Sequence, residues 1–134
     1  MTKLLIEPIG YIQHGALSVP KHCNESNLEG KIVVDKRYVG GLTDIKKGEC
    51  IIVIFHFHKS SKFTKEYLRR VPSHGSYKKG VFSICSPVRP NPIGMSILKV
   101  RYVVENIIYV RHIDMLNGTP VLDIKPYIRC ALDC

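Results

Sequence analysis

From Cys50 to Phe57 the chain reads Cys-Ile-Ile-Val-Ile-Phe-His-Phe, almost wholly apolar and β-branched or aromatic. Such side chains pack well on a pleated sheet, whereas β-branching is a handicap in a helix. The run is expected to form a strand buried on both faces, because polar and apolar residues do not alternate along most of it. Further extended runs surround it: Leu4 to Gln13, interrupted by Pro8 and Gly10; Ile32 to Tyr38, bounded by Gly30 and Gly40-Gly41; Ile97 to Val104; Ile107 to Ile113; and Val121 to Ile124. The link Glu105-Asn106, whose Asn tolerates positive φ, predicts a hairpin. Helix signals are sparse. Thr43 to Lys47 suits one turn with Asp44 near its start, and Lys62 to Arg70, lacking a stop signal before Pro72, reads as extended. The fold class expected is all-β: a small closed β-barrel with long loops and little helix, a single domain over residues 1–134.

A chain of 134 residues suits one domain, and 45% hydrophobic with 23% charged residues excludes wholesale disorder. No stretch approaches the roughly 18 apolar residues of a membrane span. Glu7-Pro8 breaks the apolar start at once, so no signal peptide and a cytoplasmic location are expected. Five cysteines, an odd number without a Cys-x-x-Cys pair, argue against disulfide scaffolding or a four-ligand zinc site. His56 and His58 alternate along one strand, but histidines in that position are more often half-buried strand residues than ligands, and no metal is expected. Cys130 and Cys134 are expected in a frayed tail.

Twenty Lys and Arg against eleven Asp and Glu give a net charge of +9. Such a field attracts polyanions without selecting one. The excess concentrates in Lys59, Lys62, Lys65, Arg69, Arg70, Lys78 and Lys79, with Tyr67 and Tyr77 among them. Rings between cations can stack on bases, so Lys62, Lys65, Arg69, Arg70, Lys78 and Lys79 are candidate nucleic-acid contacts; a solvated basic loop is the other reading.

Residues 80–96 carry prolines at 87, 90 and 92, which belong neither in a central strand nor in a helix interior. Each fixes its own φ and pushes the preceding residue to extended geometry, leaving a stiff loop with little entropy to lose on binding. Arg89 and Asn91 are the polar groups such a loop would present, and Gly94 would permit close backbone approach. A stiff surface turn is the alternative. The later loop Asp114-Met115-Leu116-Asn117-Gly118-Thr119-Pro120 contains an Asn-Gly turn; Asp114 and Asp123 suit either ligand hydrogen bonds or turn capping.

Two blocks, Gly80-Val81-Phe82 followed by Ser86-Pro87 and Arg89-Pro90-Asn91-Pro92-Ile93-Gly94, and then Asp114 followed by Gly118-Thr119-Pro120-Val121-Leu122-Asp123-Ile124-Lys125-Pro126-Tyr127, resemble the TsaA-like family of tRNA N6-threonylcarbamoyladenosine methyltransferases. The run from Cys50 to Lys59, the early Glu7-Pro8-Ile9-Gly10 and Val19-Pro20 extend the likeness over nearly the whole chain. The resemblance implies a compact β-barrel, commonly a homodimer, that takes S-adenosyl-L-methionine as cofactor without a Rossmann fold; no Gly-x-Gly-x-x-Gly follows any strand here. Carried over by position, the cofactor site would use Pro20 and Lys21; His58 and Lys59; Arg89, Pro90, Asn91, Pro92, Ile93, Gly94 and Met95; and Asp114, Met115, Leu116 and Asn117. The implied partner is tRNA at its anticodon loop, whose splayed bases and phosphates suit a basic segment. Methyl transfer needs alignment of nucleophile and methyl and one proton acceptor, for which His58 and Asp114 are the two catalytic candidates. Cys85 stands where the family commonly has Arg, and only Ile128 to Cys134 follow Tyr127 where longer members continue into a further domain. Another methyl acceptor, or a cofactor- or RNA-binding module without catalysis, therefore stays open.

Overall fold

In the computed structural model, which describes residues 1–72 and 75–128, six antiparallel strands close into a barrel. They are β1 (Gly10–Gln13), β2 (Glu29–Val34), β3 (Cys50–His56), β6 (Ile93–Val104), β7 (Ile107–Arg111) and β8 (Pro120–Pro126). Around the barrel they run β1-β2-β7-β6-β3-β8, and β8 pairs with β1 to close it. Two short strands, β4 (Arg69–Arg70) and β5 (Lys79–Gly80), pair with each other as a separate arm. The all-β barrel is thus the one expected, and among the described residues its helical content is confined to short 3-10 turns.

Alternation builds the core. Ile32 and Val34 of β2, Ile51, Val53 and Phe55 of β3, Leu98 and Val100 of β6, and Ile108 and Val110 of β7 point inward and are buried. Strand β3 is therefore buried on one face only: Ile52, Ile54 and His56 lie on the outer wall and are half-covered. The expectation of burial on both faces fails because a closed small barrel has a single interior.

Several boundaries also shift. Leu4, Leu5 and Ile6 are exposed and precede the first strand, which starts at Gly10. After Val34 the chain leaves the sheet, and Lys36–Leu42 forms a 3-10 turn whose first free amides are capped by the Asp35 carboxylate accepting from Arg37 N–H at 2.9 Å. The turn expected over Thr43 to Lys47 thus falls earlier, and Asp44 instead adopts a φ of 76°. Lys62 to Arg70 is not one extended run, since Lys65–Leu68 is a 3-10 turn and only Arg69 and Arg70 pair as strand. The β6–β7 hairpin forms as expected, with the positive φ on Glu105 (54°) while Asn106 Nδ2 donates to the Val34 carbonyl at 2.8 Å. Cys130 and Cys134 lie outside the described residues. No helix among the described residues is long and apolar enough to cross a membrane.

The antiparallel pairing of every strand sends three connections out of one end of the barrel. Residues 14–28 join β1 to β2, 57–92 join β3 to β6, and 112–119 join β7 to β8. Residues 35–49 and the 105–106 turn emerge at the other end. Segments far apart in sequence are thereby gathered at one mouth.

Candidate functional site

His56 pairs with Ile93 at the end of β3, so the residues that follow one and precede the other are brought side by side. Phe57 N–H donates to the Pro92 carbonyl at 2.8 Å, which locks the proline loop to the end of β3. Between them lies a groove of about 430 Å³, lined by His56, Phe57, His58, Ser60, Ser61, Lys62, Phe63, Arg89, Pro90 and Pro92. The structure thus brings together His58 and the Arg89 to Pro92 loop. Ser60, Ser61 and Phe63 were not foreseen, because hydroxyls and a ring just past a strand carry no local signal; Lys62, expected to face RNA, lines the same groove.

Arg89 does not simply project from its loop. Its Nη1 donates to the carbonyls of Ile84 at 2.9 Å and Ser86 at 3.2 Å, so the guanidinium staples the loop on either side of Cys85. Asn91 is exposed, and its carbonyl accepts from Ile93 N–H at 2.7 Å. At Gly94 any side chain would run into the rings of Phe55 and Phe57, which pack edge to face with centroids 4.9 Å apart. The close approach that requires glycine here is to the core rings. Ile93 and Met95 point to the outer wall, where Met95 is 61% exposed.

His58 is half-buried, and its imidazole is held below the usual value of 6.5, first by desolvation and then by the charges of Lys59 and His56. At neutral pH its ring is uncharged. Asp114 is pushed the opposite way: burial raises its carboxyl above 3.8, against hydrogen bonds from Ser96, its own amide and Cys23. Ser96 Oγ donates to Asp114 Oδ1 at 2.6 Å across the barrel mouth. Asp114 therefore ties three elements, the 112–119 connection, β6 and the Cys23–Glu25 turn, and neither Ser96 nor Cys23 was anticipated.

The remaining expected residues divide. Met115 is 2% exposed and belongs to the core. Leu116 and Asn117 are exposed at the turn, where Gly118 takes a φ of 85°. Asn117 Oδ1 accepts from His14 N–H at 2.9 Å, and His14 Nε2–H donates to the Met115 carbonyl at 2.8 Å, joining the 14–28 and 112–119 connections. Pro20 and Lys21 lie on the 14–28 connection just before the turn that holds Asp114, and Lys21 is exposed. Lys59 is exposed at the groove's edge. Asp123 lies away from the mouth, on β8, where it pairs with Lys125 at 2.8 Å.

The basic segment forms the arm beside the groove. Arg70 lies 4.8 Å from the Tyr67 ring and Lys79 lies 5.6 Å from the Tyr77 ring. Lys65, Arg69 and Lys78 are exposed.

A small antiparallel barrel with a groove built by loops at one end and a basic arm beside it is the class of protein that this fold and site define. Residues 14–134 match the sequence profile of the tRNA-methyltransferase O N-terminal domain, and the chain belongs to that family. It is 40% identical over 126 residues to a probable S-adenosyl-L-methionine-binding protein of Pyrococcus abyssi, covering 90% of this chain and 66% of that one. It is 36% identical over 133 residues to the tRNA (adenine(37)-N6)-methyltransferase of Rattus norvegicus, covering 93% of this chain and 31% of the relative. The crystal structure of TrmO from Pseudomonas aeruginosa superposes with a TM-score of 0.70 at 27% identity, over 95% of this chain and 57% of that one. The chain thus spans less than two-thirds of the length of each of these three relatives.

Proposed function

We propose that this protein is an S-adenosyl-L-methionine-dependent methyltransferase that methylates N6 of threonylcarbamoyladenosine beside the tRNA anticodon, working in the cytoplasm as a homodimer. The observation that carries the reading is the groove between His58 and the Arg89-stapled proline loop, together with the names of the relatives just given.

The groove suits the cofactor. Its volume of about 430 Å³ falls in the range of small-molecule sites. Phe57, Phe63, Pro90 and Pro92 offer flat apolar walls for an adenine, while Ser60, Ser61 and Lys62 offer hydroxyls and a cation for ribose and carboxylate. When bound, the cofactor supplies an electrophilic methyl on a sulfonium. The chain's own part is alignment, exclusion of water and removal of one proton from the acceptor nitrogen. Of the two acceptor candidates we favour His58: its ring is neutral at pH 7, carries a free basic lone pair in that form and adds no positive charge beside a sulfonium. Asp114 is already engaged by Ser96 and Cys23, and its role is to hold the mouth in shape. The arm, with Lys65, Arg69, Arg70, Lys78 and Lys79, would hold RNA phosphates next to the groove. Exposed apolar residues on or near that arm, Val71 at 52% and Phe82 at 78%, support a partner subunit there.

Calorimetric titration with S-adenosyl-L-methionine, followed by mass spectrometry of nucleosides from tRNA incubated with both, tests the reading. Saturable binding weakened by Lys62→Ala and Arg89→Ala, and a threonylcarbamoyladenosine heavier by one methyl, are expected. No binding at millimolar cofactor ends the methyltransferase reading; binding without a modified nucleoside moves the activity to another acceptor. A monomer in light scattering removes the dimer.

A further inference from the structure

The outer wall of the barrel formed by β2, β7 and β6 carries a second basic and aromatic surface, separate from the arm. Register alone places its members. Lys31, Tyr109 and Tyr102 lie in one cross-strand row, and Glu29, Arg111 and Lys99 in the next. A bulge between Val100 and Tyr102 turns Arg101 outward beside Tyr102, so two consecutive residues share the outer face. Tyr102 and Tyr109 stack with ring centroids 4.3 Å apart and planes 23° from parallel. Lys31 Nζ lies 5.5 Å from the Tyr109 ring. On its other flank the β3–β6 ladder ends at Cys50 and Lys99, the backbone of Gly48 and Glu49 pairs with β6 as far as Val100, and Tyr102 beyond it is 45% exposed.

Four cations, Lys31, Lys99, Arg101 and Arg111, surround the stacked rings, with Glu29 as the carboxylate among them. Glu29 pairs with Arg101 and approaches Arg111 Nε at 3.7 Å, which fixes both guanidinium groups on the wall without neutralising the patch. The wall continues to Tyr11 and Val33, which border a groove of about 410 Å³ that Lys36 and Asn106 also line. An excess of positive charge around an unfinished ring stack, four cations to the one carboxylate of Glu29, matches a single-stranded polyanion with flat bases.

We propose that this wall is a second RNA-contact surface: an unpaired base extends the Tyr109–Tyr102 stack on the open side of Tyr102, and the flanking phosphates are held by Lys31, Lys99, Arg101 and Arg111. The inference rests on the RNA-substrate reading above and adds a contact that the mouth and the arm do not supply. Since Tyr102 lies towards the hairpin end of β6 and the groove of His58 lies at the opposite end, an RNA touching both runs along the barrel wall.

The test is fluorescence anisotropy with an oligouridylate of about 12 nucleotides, and with tRNA, alongside cofactor calorimetry on the same samples. Tyr102→Ala is expected to weaken oligouridylate binding by about tenfold, and Tyr102→Phe to restore it, because stacking needs the ring and not the hydroxyl. Lys31→Gln and Lys99→Gln should each lower the slope of log affinity against log salt by about 0.7, with cofactor affinity unchanged. These two surface variants keep the test open if Tyr102→Ala does not fold. Oligouridylate and tRNA binding by Tyr102→Ala and both lysine variants equal to the wild type overturns the wall contact while leaving the methyltransferase reading intact. Loss of RNA binding accompanied by a dimer-to-monomer change also overturns it, and makes the patch a subunit interface. A wild-type protein that binds cofactor but neither RNA removes the RNA reading and the wall together.

Discussion

Ser96 Oγ donates to Asp114 Oδ1 at 2.6 Å, from the head of β6 to the connection that follows β7. The carboxylate is half-buried, and its desolvation holds its pKa above 3.8 despite this bond and the amides of Asp114 and Cys23. A carboxyl raised in the folded state binds its proton more tightly there than in the unfolded chain. Stability therefore falls as pH rises from below 3.8 through the folded value, and is level above it. Asp114→Asn should flatten that acid-side slope. Ser96→Ala removes a donor that lowers the pKa, so it should raise it further and cost about 1–3 kcal/mol at neutral pH. Urea unfolding over a pH series measures both, and an unchanged slope in Asp114→Asn would mean the carboxyl is not the group responsible.

Gly94 is the point where the proline loop meets the core. A methyl group there meets the rings of Phe55 and Phe57, neither of which can yield without disturbing the other. Gly94→Ala is expected to destabilise by about 1–3 kcal/mol through overpacking. Because Phe57 also lines the groove, cofactor affinity should fall with it. Thermal unfolding and calorimetry on the same variant decide this. Full stability with intact binding would show that the rings have room to move.

The proline loop was legible in the sequence because Pro87, Pro90 and Pro92 leave the backbone few conformations, and the hairpin at Glu105-Asn106 because its signal is local. The single buried face of β3 was not, since Ile52 and Ile54 are as apolar as the inward Ile51 and Val53, and only barrel closure tells the two sets apart. The bulge that turns Arg101 outward is a property of the β6–β7 pairing and leaves no mark in composition. Leu4 to Ile6 read as strand for the same kind of reason: apolar residues without a partner strand stay out of the sheet. At the site, Arg89 is legible from the proline loop that presents it and His58 from the resemblance, but Ser96, Cys23 and His14 act through contacts between segments far apart in the chain, which no spacing rule reports.

His58 is expected to act as a base in its neutral form. Its pKa is held below 6.5 by desolvation and by Lys59 and His56, so kcat/KM should rise with pH through a value below 6.5 and then level off. Lys59→Glu replaces a repelling charge with an attracting one, which raises the His58 pKa and should move the rising limb to higher pH. His58→Gln should lower kcat by about 10²–10⁴ while the cofactor still binds. A pH profile of methyl transfer for the three proteins checks the assignment. An unshifted limb in Lys59→Glu would place the titrating group elsewhere.

The arm makes a separate prediction, because its cations divide by what they touch. Lys62 lines the groove, whereas Lys65 and Arg69 are exposed beside it, and Arg70 rests 4.8 Å from the Tyr67 ring. Lys65→Glu with Arg69→Glu should weaken tRNA binding and lower its salt slope by about 0.7 to 0.9 for each phosphate no longer neutralised, with cofactor affinity preserved. Lys62→Glu should instead weaken the cofactor as well. Arg70→Glu, which removes the cation from the Tyr67 ring, should also loosen the pairing of β4 with β5. Titrations of tRNA at several salt concentrations, run beside cofactor calorimetry, separate these outcomes. If Lys62→Glu behaved like the Lys65/Arg69 pair, losing tRNA affinity with cofactor affinity preserved, Lys62 would belong to the RNA surface and not to the cofactor groove.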